Sequence, residues 1–149
     1  MNETTVEPTQ KKIKILVVDD DPQIRRLIRA TLQSKFNFDI LEAENGATAY
    51  QKIEAEKPFL VILDIMMPEL NGLELIEKMK QNEETKDVPV IMCSAINDRE
   101  KVVELFSKGV ADYIVKPINP IILVNKITQY IKIYLEKVIR KGTEQKPQQ

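Results

Sequence analysis

The chain has 149 residues, 43% of them hydrophobic, with 22 basic and 23 acidic side chains for a net charge of −1. That length suits one domain with a sizeable core, and the balanced charge argues against a surface built on phosphate contacts, so no direct binding of nucleic acid is expected. Histidine is absent and Cys93 is the single cysteine, which excludes histidine-dependent nucleophilic catalysis, histidine-ligated zinc, a phosphohistidine on this chain and an intrachain disulfide.

Residues 1–11 are polar, lack periodicity and include Pro8, so they read as a flexible leader. The apolar run from Ile13 to Val18 predicts strand one. Asp21 then stands as an N-cap, Pro22 takes the first helical position, and Ile24, Leu27, Ile28, Thr31 and Leu32 recur at helical spacing through helix one. A short strand is predicted from Asp39 to Ala43. Helix two begins near Gly46, places Ala47, Tyr50 and Ile53 on one face and stops before Pro58. Strand three runs from Phe59 to Leu63, a turn spans Pro68 to Gly72, and helix three carries Leu75, Ile76 and Met79.

Strand four is predicted from Val88 to Cys93, with Cys93 as a small core residue and not a reactive thiol. Asn97, followed three residues later by Glu100, predicts the start of helix four, whose apolar side holds Val102, Val103 and Phe106 and which ends at Gly109. Strand five covers Asp112 to Val115. Asn119-Pro120 opens helix five, which runs to about Lys141 before Gly142 stops it. Short apolar runs alternating with amphipathic helices predict an α/β domain of (βα)5 type, a five-stranded parallel sheet covered on both faces. The longest apolar stretch, Phe59 to Leu63, falls far short of the roughly 18 to 20 residues of a membrane span, and Met1 to Thr5 has no signal-peptide character, so a cytoplasmic protein is expected.

The chemistry collects at the strand ends. Asp19-Asp20-Asp21 follows strand one, Asp64 follows strand three, Ser94 follows strand four and Lys116 follows strand five, the edge where open α/β sheets bind ligands. Carboxylates crowded this closely repel one another, and they either take up protons or recruit a cation, for which a divalent metal is the natural choice. The acidic run is not an EF-hand, because its carboxylates are consecutive and the glycine and distal glutamate of that loop are missing.

Val17-Val18-Asp19-Asp20-Asp21-Pro22, Asp64-Ile65-Met66-Met67-Pro68, Met92-Cys93-Ser94-Ala95 and Tyr113-Ile114-Val115-Lys116-Pro117, in this order, closely resemble the receiver domain of two-component response regulators of the chemotaxis-regulator type. The resemblance covers about residues 12 to 135, leaving 136–149 as an extended end of helix five and a polar tail. It implies a flavodoxin-like, doubly wound sheet of strand order 2-1-3-4-5. It further implies that Asp64 is the phosphoacceptor and that Asp19, Asp20, Asp64 and the Met66 backbone carbonyl hold Mg²⁺. Lys116 and Ser94 are implied to contact the phosphoryl group. Tyr113 becomes a switch residue, facing solvent at rest and turning inward with Ser94, and the Lys116-Pro117 peptide is implied to be cis.

The implied partner is a histidine kinase or histidine phosphotransfer protein, and the face of helix four, strand five and helix five becomes the output or dimerisation surface. The apolar residues Met66 and Ile96 lie two positions beyond Asp64 and Ser94, where apolar bulk implies slow loss of the phosphoryl group. Val124, Ile131 and Val138 recur every seven residues with Ile127 and Tyr134 between them, so the long last helix offers a second route to a homodimer. The implied activity is self-phosphorylation and self-dephosphorylation only. The alternative is a Mg²⁺-dependent phosphatase with an aspartyl nucleophile, which fits less well because such enzymes want an Asp-x-Asp pair where this chain has adjacent Asp19 and Asp20.

Overall fold

The structure, a computed structural model, describes residues 12–65 and 72–144. Five strands and five helices alternate: β1 (Lys14–Val18), α1 (Pro22–Lys35), β2 (Asp39–Ala43), α2 (Gly46–Glu56), β3 (Leu60–Leu63), α3 (Gly72–Gln81), β4 (Val90–Ser94), α4 (Arg99–Ser107), β5 (Asp112–Val115) and α5 (Pro120–Glu144). All strand pairs are parallel and the order is β2-β1-β3-β4-β5, as the (βα)5 flavodoxin-like reading expects.

Strand alternation divides the core into two layers. Ile15 and Val17 of β1 pack with Leu60 and Ile62 of β3 against Ile28 and Leu32 of α1 and Leu123 and Ile127 of α5. Leu16 and Val18 face the other way, joining Val61 and Leu63 against Ile53 of α2, Leu75, Ile76 and Met79 of α3 and Leu105 of α4. Because successive side chains of a strand point to opposite faces, a central strand buried on both sides must be apolar throughout. Fully burying each of these aliphatic side chains contributes about 1.5–3 kcal/mol. No helix among the described residues is long and apolar enough to cross a membrane.

Several sequence-level boundaries shift for identifiable reasons. Pairing in β4 begins at Val90, because the Val88 N–H is already donated to the Thr85 carbonyl and Pro89 has none to give. Helix α4 is capped by Asp98, whose carboxylate accepts from the Glu100 N–H, and not by Asn97. Its buried contact is Leu105, while Val103 and Phe106, expected inside, are exposed. In α2 the buried residues are Gly46, Ala49 and Ile53, while Ala47 is exposed, and Leu27 of α1 is likewise exposed. Gly142 does not stop α5, which continues to Glu144. A lone glycine weakens a helix by only about 1 kcal/mol, and here no packed neighbour enforces a break.

Gly72 answers to a harder constraint. A Cβ placed there would lie 2.7 Å from the Ile65 Cα and 3.2 Å from its Cβ, and the Gly72 N–H donates to the Ile65 carbonyl at 3.3 Å. The two sides of the β3–α3 joint therefore meet backbone to backbone immediately after Asp64. Gly72→Ala is expected to destabilise the fold by about 1–3 kcal/mol through overpacking. Urea denaturation measures this, and an unchanged midpoint would mean that the joint has slack.

Candidate functional site

The ladder of the sheet carries its register into the pocket. The Asp19 N–H donates to the Ala43 carbonyl at 3.1 Å, the Asp64 N–H to the Val18 carbonyl at 3.0 Å and the Lys116 N–H to the Ser94 carbonyl at 2.9 Å. Each residue that follows its strand thus has its main chain fixed by a neighbouring strand, and side chains on such rigid supports hold their geometry closely.

Lys116 crosses the pocket. Its Nζ donates to Asp19 Oδ2 at 2.8 Å and to Asp64 Oδ2 at 2.9 Å, and the Lys116–Pro117 peptide is cis. Asp19 and Asp64 are buried, at 2% and 6% exposure, whereas Asp20 is exposed. One carboxylate oxygen from each of Asp19, Asp20 and Asp64 lies within 4.8 Å of the others. Burial pushes the Asp19 carboxyl above its usual range, and the hydrogen bond from Lys116 opposes that rise. For Lys116, burial disfavours the charge, but hydrogen bonds to Asp19 and Asp64 outweigh it and raise the pKa.

Ser94 ends β4 at the same edge, fully buried, and its Oγ makes no hydrogen bond of normal geometry among the described residues, the Tyr113 hydroxyl being its polar neighbour. A buried hydroxyl without such a bond is unfavourable by about 1–3 kcal/mol, so a ligand acceptor would find a donor waiting. Cys93 behaves as the core residue expected from sequence: it is buried, and burial raises its thiol to about 12. Asp21 caps α1 by accepting from the Gln23 N–H at 2.9 Å, which commits one of its oxygens to the helix. Tyr113 departs from expectation. It is half-buried, and its hydroxyl donates to the Ile96 carbonyl in the loop after β4 instead of facing solvent. Burial raises its phenol. Met66, the implied carbonyl ligand, lies outside the described residues, as do the leader 1–11 and residues 145–149 of the tail.

Sequence reasoning missed Arg25. Its Nη1 donates to the Asp19 carbonyl at 2.6 Å and its Nε to Glu42 Oε1 at 2.9 Å, while Arg29 binds the other oxygen of Glu42 at 2.6 Å. The available signal was the spacing of Arg25 and Arg29, four residues apart on one helical face, together with an acidic residue in the adjoining strand.

A lysine bridging acidic side chains at the carboxyl edge of a 2-1-3-4-5 parallel sheet defines a class. Residues 15–128 match the family model of the response regulator receiver domain, and the chain belongs to that family, a receiver domain of a two-component system. It is similar to chemotaxis protein CheY1 of Helicobacter pylori, with 39% identity over 116 residues that cover 77% of this chain and 94% of that one. Among solved structures, the signal receiver domain of a putative Luxo repressor protein from Vibrio parahaemolyticus matches with a TM-score of 0.79 at 29% identity, covering 87% of this chain and 98% of that one. Chemotaxis protein CheY4 of Vibrio cholerae matches with a TM-score of 0.75 at 28% identity, over 80% and 99% of the respective chains. Receiver domains act as phosphoacceptor signalling domains and generally bind Mg²⁺ at an acidic pocket, and an aspartate cluster of that kind is present here. The comparisons do not favour the phosphatase alternative.

Proposed function

We propose that residues 12–135 form a phosphorylation-controlled switch in which Asp64 accepts a phosphoryl group from a histidine on a partner kinase or phosphotransfer protein. The observation that carries this reading is the double contact of Lys116 with Asp19 and Asp64 beside the buried hydroxyl of Ser94. An Asp64 carboxylate oxygen forms the new bond to phosphorus as the phosphorus–nitrogen bond of the donor breaks. The electron pair of that bond stays on the imidazole, which is then protonated from solvent. Lys116, already held in the pocket, turns from carboxylate to phosphoryl oxygen, where negative charge has increased, and Ser94 supplies a further donor.

Asp19, Asp20 and Asp64 offer hard oxygen ligands with neither nitrogen nor sulfur among them, which suits Mg²⁺. Bound there, the ion would offset the negative charge shared by the carboxylates and the phosphoryl group. The Met66 carbonyl joins this set by resemblance alone.

The phosphate adds roughly −1.5 to −2 charges, and its oxygens compete for Ser94 while Tyr113 rests against the Ile96 carbonyl of the same loop. Movement of that loop biases the α4–β5–α5 face, where Val103, Phe106, Val115 and Ile122 are exposed. That face is the proposed surface for partner binding or dimerisation, with the exposed end of α5 as the second candidate. Incubation with a small phosphodonor and Mg²⁺ followed by intact-mass analysis is expected to show one alkali- and hydroxylamine-labile phosphoryl group per chain. Continuous release of phosphate from an external ester, without a labelled chain, would instead indicate a phosphatase.

A further inference from the structure

We propose that Arg25 is a positioning residue for the acidic pocket, fixing the Asp19–Asp20 peptide and thereby the affinity of the site for Mg²⁺. The inference rests on the reading of Asp19 and Asp20 as the Mg²⁺ side of the pocket. Asp19 is anchored on its amino side by β2, through its N–H to the Ala43 carbonyl at 3.1 Å, and its carboxylate accepts from the Asp21 N–H at 2.9 Å. Its own carbonyl is held by Arg25 Nη1 at 2.6 Å. That carbonyl belongs to the peptide leading into Asp20, so the arginine restrains the peptide rotation that would carry the Asp20 backbone, and its carboxylate with it, away from Asp19 and Asp64.

The guanidinium is itself locked. Its side chain is 15% exposed, and its Nε donates to Glu42 of β2 at 2.9 Å. Glu42 cannot drift, because its second oxygen is bound to Arg29, which also donates to the Ile40 carbonyl at 3.1 Å. The two arginines hold the Glu42 carboxyl below its ordinary range against the opposing effect of burial. Arg25 thus ties α1, β2 and the acidic loop together through a planar fork that a lysine cannot reproduce, since an ammonium on a flexible stem lacks the fixed pair of donors.

Position and charge predict opposite signs. As a bare positive charge near a cation site, Arg25 opposes Mg²⁺, and its removal would tighten binding. As a positioning group, its removal lets the peptide rotate and weakens binding, in line with the losses seen when residues supporting metal ligands are replaced.

The test is isothermal titration of the unphosphorylated chain with Mg²⁺, accompanied by thermal melts in EDTA that report stability alone. Arg25→Met and Arg25→Lys are each expected to weaken Mg²⁺ binding about tenfold, whereas Arg26→Met, which removes the same charge at the adjoining exposed position of α1, stays within about twofold. If Arg25→Met does not fold, Arg25→Lys and Glu42→Gln carry the same expectation. Unchanged or tighter binding in the Arg25 variants overturns the proposal, as does equal weakening in Arg26→Met. Absence of Mg²⁺ binding in the wild-type chain would overturn the metal reading of the pocket itself, an outcome distinct from normal binding that Arg25 does not influence.

Discussion

Asp64→Asn is expected to abolish phosphoryl uptake completely while leaving the protein at least as stable as the wild type. In the proposed reaction a carboxylate oxygen supplies the new bond to phosphorus, and an amide oxygen is too weak a nucleophile to replace it. The structural consequence runs in the opposite direction from the functional one. One oxygen from each of Asp19, Asp20 and Asp64 lies within 4.8 Å of the others, with the Lys116 ammonium bonded to Asp19 and Asp64, so removing one negative charge relieves repulsion that no bound ligand offsets in EDTA. A gain of about 1 kcal/mol is expected from the relieved repulsion. Intact-mass analysis reads the first effect and thermal denaturation in EDTA the second. Residual labelling of the variant would move the acceptor to another residue, and a large loss of stability would mean that Asp64 serves the fold more than the chemistry.

How much of this pocket could be read from the sequence follows from where its residues stand. Asp19, Asp64 and Lys116 each follow directly on an apolar run, and the register of a parallel sheet brings such ends together whatever the loops do. Tyr113 was harder. Strand periodicity gives the face on which it lies, but its rotamer depends on the Ile96 carbonyl, a contact across seventeen residues that no local pattern encodes. Val103 and Phe106 illustrate the same limit in α4: helical spacing identifies an apolar side, and only the sheet decides that Leu105 fills the contact. Arg25 was passed over because a charged residue on an amphipathic helix reads as a solvated face. Its role arises from Glu42, seventeen positions away on β2, and from the main chain of Asp19.

Lys116→Met carries the second large effect, and its signature is a separation of metal binding from phosphoryl transfer. The ammonium lies 2.8 Å from Asp19 and 2.9 Å from Asp64, so its loss leaves the pocket more negative and should tighten Mg²⁺. Phosphoryl uptake should nevertheless fall about a hundredfold, the usual order when a preorganised donor to developing negative charge is removed. Stability in EDTA should fall by about 1–3 kcal/mol at neutral pH, because Asp19 loses a charged partner while remaining buried. The pH dependence follows from Asp19, whose folded pKa already lies above its unfolded reference of 3.8 and rises further once the opposing hydrogen bond is gone. A raised folded pKa makes a contribution to stability that is fully present below the unfolded value and is lost as pH rises through the folded one. The deficit of the variant should therefore be greatest near neutrality and shrink as pH falls toward 4. Denaturation at a series of pH values, beside Mg²⁺ titration and labelling rates, measures all three. Weakened Mg²⁺ binding in Lys116→Met would mean that the lysine orders the carboxylates for the ion more than it competes with it.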